Sequence, residues 1–156
     1  MSRPRTLARV AAVQALYQAE HSQTSPETVI DQFVRHRLGA LPWQGGLEEG
    51  NLPETDVPLF TRIVRTAAQQ GDVVDGMIIE SLPESWPMPR LDPVLRAALR
   101  AGVAELWMSD GPPAKVVLNE YLDVAHGFFS GDEPRLLNGV LDKLAHLLRP
   151  AEFSPA

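Results

Sequence analysis

Apolar residues recur along most of the chain at intervals of three and four, which is the spacing of one face of an α-helix. Val10, Val13 and Tyr17 show this spacing near the N-terminus. Cap residues followed by proline, at Ser25-Pro26 and Asp92-Pro93, predict the starts of further helices. No segment shows the two-residue alternation of a half-buried strand. The pattern therefore predicts an all-α fold, a single-domain bundle of about six or seven helices.

Two stretches of this pattern define the organisation of the chain. An apolar face continues from 59 to 82 and predicts one helix of about 24 residues, in which Gly71 marks a bend or the close approach of another helix. Residues 39–57 break the periodicity with prolines, glycines and four acidic residues, so they predict a solvated acidic loop. Pro150 predicts the end of the last helix. We expect one domain over 1–150, followed by a C-terminal tail at 151–156.

Composition narrows the class of protein. The 156 residues carry a formal net charge of -6 and include no cysteine, which excludes disulfides and cysteine-ligated zinc. No apolar run approaches the roughly 18 residues of a membrane span, and no signal peptide is evident. The sequence therefore predicts a cytoplasmic protein with no membrane partner.

The chain contains none of the common catalytic or nucleotide-binding motifs. GxGxxG, GxxxxGK[ST] and HExxH are all absent. The four histidines are far apart in sequence and have no metal-ligand spacing. We therefore expect no catalytic residue, no cofactor and no metal, and the protein is not predicted to be an enzyme.

The N-terminal helix begins with arginines in an otherwise acidic chain. Arg3, Arg5 and Arg9 precede the first acidic residue, Glu20. Cations at a helix N-terminus oppose the helix dipole, so folding alone does not favour this placement. Arg5 and Arg9 are four residues apart, and we expect their shared face to lie away from the apolar stripe. Arginine binds phosphates and stacks on bases, which predicts RNA or DNA as the partner.

Four segments in order resemble one known family. They are ARVAAVQALYQ at 8–18, LRAALRAGVAEL at 95–106, PPAKVVLNEYLDVA at 112–125 and LLNGVLDKL at 136–144. Together they resemble the NusB family of bacterial transcription antitermination factors. The resemblance implies two packed helical subdomains and no catalysis. It also implies binding of the boxA element of ribosomal RNA leader transcripts together with NusE, a small-subunit ribosomal protein, and action on elongating RNA polymerase with other Nus factors.

By position, the resemblance places RNA contacts on three parts of the chain. They are the first helix, the start of the KVVLNE helix and the turn into the last helix. Many family members have an aromatic residue at the position of Leu136, and an aromatic ring there would stack on a base. Leucine cannot stack in this way, so we expect RNA binding to depend more strongly on NusE. The predicted RNA-binding residues are Arg3, Arg5, Arg9, Gln14, Lys115, Asp132, Arg135 and Leu136.

Two alternatives remain open at the level of sequence. In the first, the chain is a NusB-like helical module that binds only proteins, and its net acidity favours this interpretation. In the second, the chain is of the same type as the N-terminal helical domain of a ribosomal RNA cytosine methyltransferase. That enzyme needs a long domain after the helices, whereas this chain ends at Ala156.

Overall fold

The described residues form a bundle of α-helices, which confirms the predicted all-α fold. The computed structural model describes residues 3–38 and 54–154. Within these ranges there are seven α-helices, and short 3-10 turns occur at Met88–Arg90 and Pro150–Glu152. The predicted acidic loop lies outside the described residues from 39 to 53. The α-helices are α1 Arg3–Ser22, α2 Pro26–His36, α3 Val57–Gln69, α4 Gly71–Ser81, α5 Pro93–Trp107, α6 Ala114–Phe128 and α7 Glu133–Leu148.

Three helices begin at a capping side chain followed by proline. Ser25, Asp56 and Asp92 each accept a hydrogen bond from a backbone N–H of the first turn, at 2.8 to 3.2 Å. A proline lies in the first turn of all three helices, where its missing N–H leaves no intrahelical bond unmade. The starts predicted at Ser25 and Asp92 are therefore confirmed.

The long helix predicted over 59–82 is two helices, and that prediction is wrong. Gln70 has φ -105° and ψ 22°, so it leaves the helical conformation and ends α3. Gly71 then begins α4. A glycine weakens a helix interior by about 1 kcal/mol, which makes a break there inexpensive. The break lets α3 pack against α1 and α5, while α4 packs against α5 and α7.

Helix α5 is the centre of the fold. Helices α1, α2 and α3 pack against one another on one side, and α4, α6 and α7 complete the other. Helix α5 contacts both groups, and ten of its residues are buried. A Cβ on Gly102 would lie 2.7 Å from Cδ1 of Leu141, so the glycine permits the close approach of α7. No helix among the described residues is both long enough and apolar enough to cross a membrane.

Arg149 donates hydrogen bonds to backbone carbonyls at the C-terminal end of α5. Its guanidinium donates hydrogen bonds of 2.7 to 3.0 Å to the backbone carbonyls of Glu105, Leu106, Met108 and Pro112. The last carbonyls of a helix have no intrahelical partner, so a buried end needs such donors. One side chain from the end of α7 therefore holds the α5–α6 connection in place.

The residues just after α7 pack against the bundle. Glu152 accepts hydrogen bonds from the backbone N–H of Ala114, at 2.8 Å, and from Arg149, at 3.0 Å. The ring of Phe153 stacks on that of His146, with centroids 3.9 Å apart. The sequence predicts a C-terminal tail at 151–156. Glu152 and Phe153, near the start of that tail, therefore pack against the helices.

Candidate nucleic-acid interface

The first turn of α1 presents arginines to solvent. Arg3 forms an ion pair of 3.1 Å with Glu54, and both side chains are more than half exposed. Such a surface pair contributes little to stability, and a phosphate can replace the carboxylate. Arg5 is also exposed and lines a groove that includes Arg62 and Asp110, which form an ion pair of their own. Two of the three predicted arginines are thus on the surface.

Arg9 is in the core, and the prediction that it lies away from the apolar stripe is wrong. Its side chain is 2% exposed. The alanines around it, Ala8, Ala11 and Ala12, are buried as well, because α1 packs against several helices at once. A helix covered on more than one side buries positions that a single-stripe pattern assigns to solvent.

The Arg9 guanidinium is held by two carboxylates. It donates to Glu105 through Nε at 2.6 Å and Nη2 at 3.0 Å, and to Glu120 through Nη1 at 2.9 Å. The hydroxyl of Tyr121 donates to Glu105 at 2.8 Å. Thr6 donates to Glu120 at 3.4 Å. The cluster therefore connects α1, α5 and α6. It uses three of the five N–H donors of Arg9 and keeps the guanidinium buried, so Arg9 does not present itself to a phosphate.

The charges of this cluster support a structural role for Arg9. Burial acts to lower the pKa of Arg9, but the hydrogen bond and charge of Glu105, together with nearby Tyr121 and Glu120, raise that pKa above its ordinary value. Burial, and then the charge of Glu105, raise the pKa of Tyr121 well above its ordinary value. Arg9 is therefore a fixed cation and Tyr121 a fixed hydroxyl donor.

Two further predicted residues lie on α1 and α6. Gln14 lines a mainly apolar groove between these helices, together with Val10 and Phe128. Lys115 is exposed in the first turn of α6. The residues that line the Gln14 groove differ from those that line the groove beside Arg5.

One groove brings three predicted residues together. We call it the α7 groove; its volume is about 380 Å³. Asp132, Arg135 and Leu136 line its α7 side, and their spacing continues along the same helix face to Lys143. Sequence reasoning missed Lys143 and Trp86, although the eight-residue spacing from Arg135 to Lys143 was a usable signal. The full lining is Ser81, Pro83, Trp86, Asp132, Arg135, Leu136, Gly139, Val140 and Lys143.

The two cationic side chains of the α7 groove, Arg135 and Lys143, have no carboxylate partner among the described residues. Most arginines of the described ranges pair with an acidic side chain, as Arg65 does with Glu27 at 2.8 Å. In the same ranges no carboxylate lies within ion-pair distance of Lys115, Arg135 or Lys143. These three side chains are exposed and keep their full charge for an anionic partner.

Comparison with protein families and curated proteins gives consistent matches. The model of the NusB family matches residues 6–146. A protein of Granulibacter bethesdensis named transcription antitermination protein NusB is 63% identical over 153 residues, which cover 98% of this chain and 94% of that protein. A protein of Gluconobacter oxydans with the same name is 52% identical over 143 residues, covering 92% of this chain and 87% of that protein.

Comparison with solved structures supports the helical architecture. The NusB of T. maritima has a TM-score of 0.73 at 23% identity, with 98% of this chain and 99% of that chain covered, which supports the fold alone. A chain in a crystal structure of a plectonemic RNA supercoil has the same TM-score at 25% identity. There the match covers 99% of this chain and all of the other.

Proposed function

The chain belongs to the NusB family, and on that premise we propose that it binds boxA-type single-stranded RNA of ribosomal RNA leader transcripts together with NusE. In this role it acts on elongating RNA polymerase with other Nus factors in the cytoplasm. Its curated relatives are named as transcription antitermination proteins, a regulatory role that involves no catalysis. The function is therefore binding, and its residues must be sought on the surface.

The main support for RNA binding is that several predicted RNA-binding cations are exposed and lack a buried carboxylate partner. Lys115 and Arg135 are exposed and have no carboxylate partner among the described residues. Among the described residues, the carboxylate that pairs with Arg3 is that of the exposed Glu54. An acidic protein that pairs most of its arginines internally, but leaves these side chains exposed at helix starts, is suited to contact phosphates.

The proposed interface contains fewer residues than the sequence suggested. Arg9 is left out because its guanidinium is buried against Glu105 and Glu120. Leu136 is 9% exposed and offers no aromatic face. With fewer phosphate contacts and no stacking at position 136, the affinity of the protein alone is low, and NusE supplies the remaining contacts.

Fluorescence anisotropy of a labelled boxA-type RNA tests this proposal. The RNA is titrated with the protein at several salt concentrations, with and without NusE, and a scrambled RNA is the control. We expect a preference for boxA-type RNA that NusE strengthens. An Arg3→Ala/Arg5→Ala protein should bind more weakly, and the slope of log K against log salt should become shallower by about 1.4, or 0.7 for each lost phosphate contact on a single strand.

A matched variant separates local from general charge effects. Arg65→Ala removes an exposed arginine that is paired with Glu27, outside the proposed interface, and it should leave RNA binding nearly unchanged. Equal binding of boxA-type and scrambled RNA, with NusE binding intact, would contradict the proposal. That result would favour a helical module that binds only proteins.

A further inference from the structure

The α7 groove combines an aromatic side chain with two cations. Trp86 lines it from the connection between α4 and α5, while Arg135 and Lys143 line it from α7. Arg135 and Lys143 are eight residues apart on one helix, roughly 12 Å along its axis. That distance corresponds to a few stacked nucleotides of a single strand, since these rise about 3.4 Å each.

The backbone at Trp86 is held by a turn and by a proline. Its backbone N–H donates a 2.9 Å hydrogen bond to the carbonyl of Pro83, three residues earlier, and Pro87 follows it directly. A residue before proline is restricted to extended backbone conformations. The side chain of Trp86 is partly buried against the core and partly exposed. A half-buried ring with one exposed part provides a stacking surface, and its packing against the core limits the conformational freedom that it loses when a base binds.

Gly139 keeps the groove open between the two cations. It lies one helical turn from Arg135 and one from Lys143, and a Cβ placed on it would meet nothing within 4 Å. Close helix packing therefore does not explain a glycine here, although glycine is unfavourable inside a helix. Its absent side chain leaves room for a flat ligand between two positive charges.

We propose that the α7 groove binds a segment of single-stranded RNA, with one base stacked on Trp86 and neighbouring phosphates paired with Arg135 and Lys143. This inference rests on the proposed function and assigns new contacts to it. The unpaired cations favour a polyanion over an apolar peptide. The carboxylate of Asp132 repels phosphates at the start of α7, so the backbone follows the Arg135–Lys143 side. Trp86 supplies the aromatic surface that Leu136 lacks.

Intrinsic fluorescence tests the stacking directly. A Trp43→Phe/Trp107→Phe protein retains Trp86 as its only tryptophan. Titration of this protein with a boxA-type RNA oligonucleotide should quench its emission, with the same midpoint as anisotropy of the labelled RNA. Trp86→Leu in the natural background should weaken RNA binding by roughly five- to a hundredfold and leave the salt dependence unchanged, because stacking releases no counterions.

Two substitutions probe the groove without touching Trp86. Gly139→Leu fills the open space and should weaken RNA binding at least tenfold. Gly76→Leu is its matched control, because a Cβ there also meets nothing within 4 Å and Gly76 is outside the groove lining. Lys143→Ala should weaken binding and make the salt slope shallower by about 0.7. Circular dichroism and urea unfolding verify that each variant is folded.

The outcomes distinguish this inference from the function on which it rests. If the unaltered protein binds boxA-type RNA but Gly139→Leu and Lys143→Ala bind it equally well, the groove assignment is overturned while the function stands. Loss of NusE binding with RNA binding intact in these variants would make the groove a protein site and would also overturn the assignment. Failure of the unaltered protein to bind RNA, with or without NusE, overturns both.

Discussion

Arg9 of α1 and Glu105 of α5 are joined in the core by two parallel hydrogen bonds of 2.6 and 3.0 Å. This bidentate geometry matches a planar guanidinium to a carboxylate and ties the first helix to the central one. Glu120 of α6 adds a third bond to the same guanidinium. The arginines at the N-terminus therefore have separate tasks, since Arg9 connects helices while Arg3 and Arg5 face solvent.

Replacing Arg9 should destabilise the protein strongly. Arg9→Met leaves the carboxylates of Glu105 and Glu120 buried without their cation, a change that typically costs about 3–5 kcal/mol. Urea denaturation followed by circular dichroism measures it. Arg5→Met, at an exposed position of the same helix, should change the free energy of unfolding by less than about 0.5 kcal/mol. An Arg9→Met protein of normal stability that binds RNA poorly would place Arg9 at the RNA instead.

Stability should decrease at acid pH partly through Glu20. Arg96 donates from Nη2 to the Glu20 carboxylate at 2.5 Å, and Arg100 donates to the same carboxylate. These hydrogen bonds outweigh burial and lower the pKa of Glu20 below its ordinary value of 4.5. A carboxyl whose pKa is lowered in the folded state adds stability above its unfolded pKa, and this contribution disappears as pH falls through the folded pKa.

Glu20→Gln tests this linkage. The urea midpoints of the unaltered protein and the variant should differ most near pH 7. They should begin to converge near pH 4.5, where the carboxyl of the unfolded chain becomes protonated, and meet below the lowered pKa of the folded state. Glu80→Gln is the control, because Glu80 is exposed on α4. A difference between unaltered protein and Glu20→Gln that stays constant from pH 7 to 3 would refute the assignment.

The contact between Gly102 and Leu141 should be intolerant of added volume. Gly102→Val places atoms where Leu141 now lies, and overpacking of this kind costs about 1–3 kcal/mol. Combining it with Leu141→Ala should be less harmful than the sum of the two single changes, since the smaller side chain makes room. Gly76→Ala, which meets open space, should be neutral or stabilise by up to about 1 kcal/mol. Additive effects in the double variant would contradict the close approach.

Arg149 should contribute to stability through the backbone. Arg149→Met removes the donors for the carbonyls of Glu105, Leu106, Met108 and Pro112, and we expect a loss of about 2–4 kcal/mol. Hydrogen exchange should show the effect most strongly at the end of α5 and the start of α6. Arg35→Met provides the comparison, since that arginine makes an exposed pair with Asp31 and its loss should be nearly neutral.

Local signals explain why the helix starts were predictable and the helix break was not. Ser25 and Asp92 act on N–H groups two or three residues away, so the sequence alone contains the whole interaction. The break at Gln70 is different, because the apolar spacing continues across it in phase. Whether α3 and α4 join depends on packing against α1 and α7, which lie far away in sequence.

The same reasoning applies to the candidate site. The burial of Arg9 depends on carboxylates that α5 and α6 bring to it from 96 and 111 residues away. One signal was present, because Glu105 is a single acid within an apolar run at 101–108, and a buried acid needs a cation. The grouping of Asp132, Arg135 and Leu136 was predictable from helical spacing. Trp86 joins them only through the tertiary fold.

The central place of α5 has a consequence for biosynthesis. The ribosome releases the chain from its N-terminus, so α1, α2 and α3 emerge well before α5 does. Until Trp107 has left the exit tunnel, buried residues of α3 such as Phe60 and Ile63 lack the helix that completes their surroundings. The nascent N-terminal half therefore exposes part of its apolar surface until α5 joins it. We expect a chain arrested before codon 107 to be cleaved by protease faster than the complete chain.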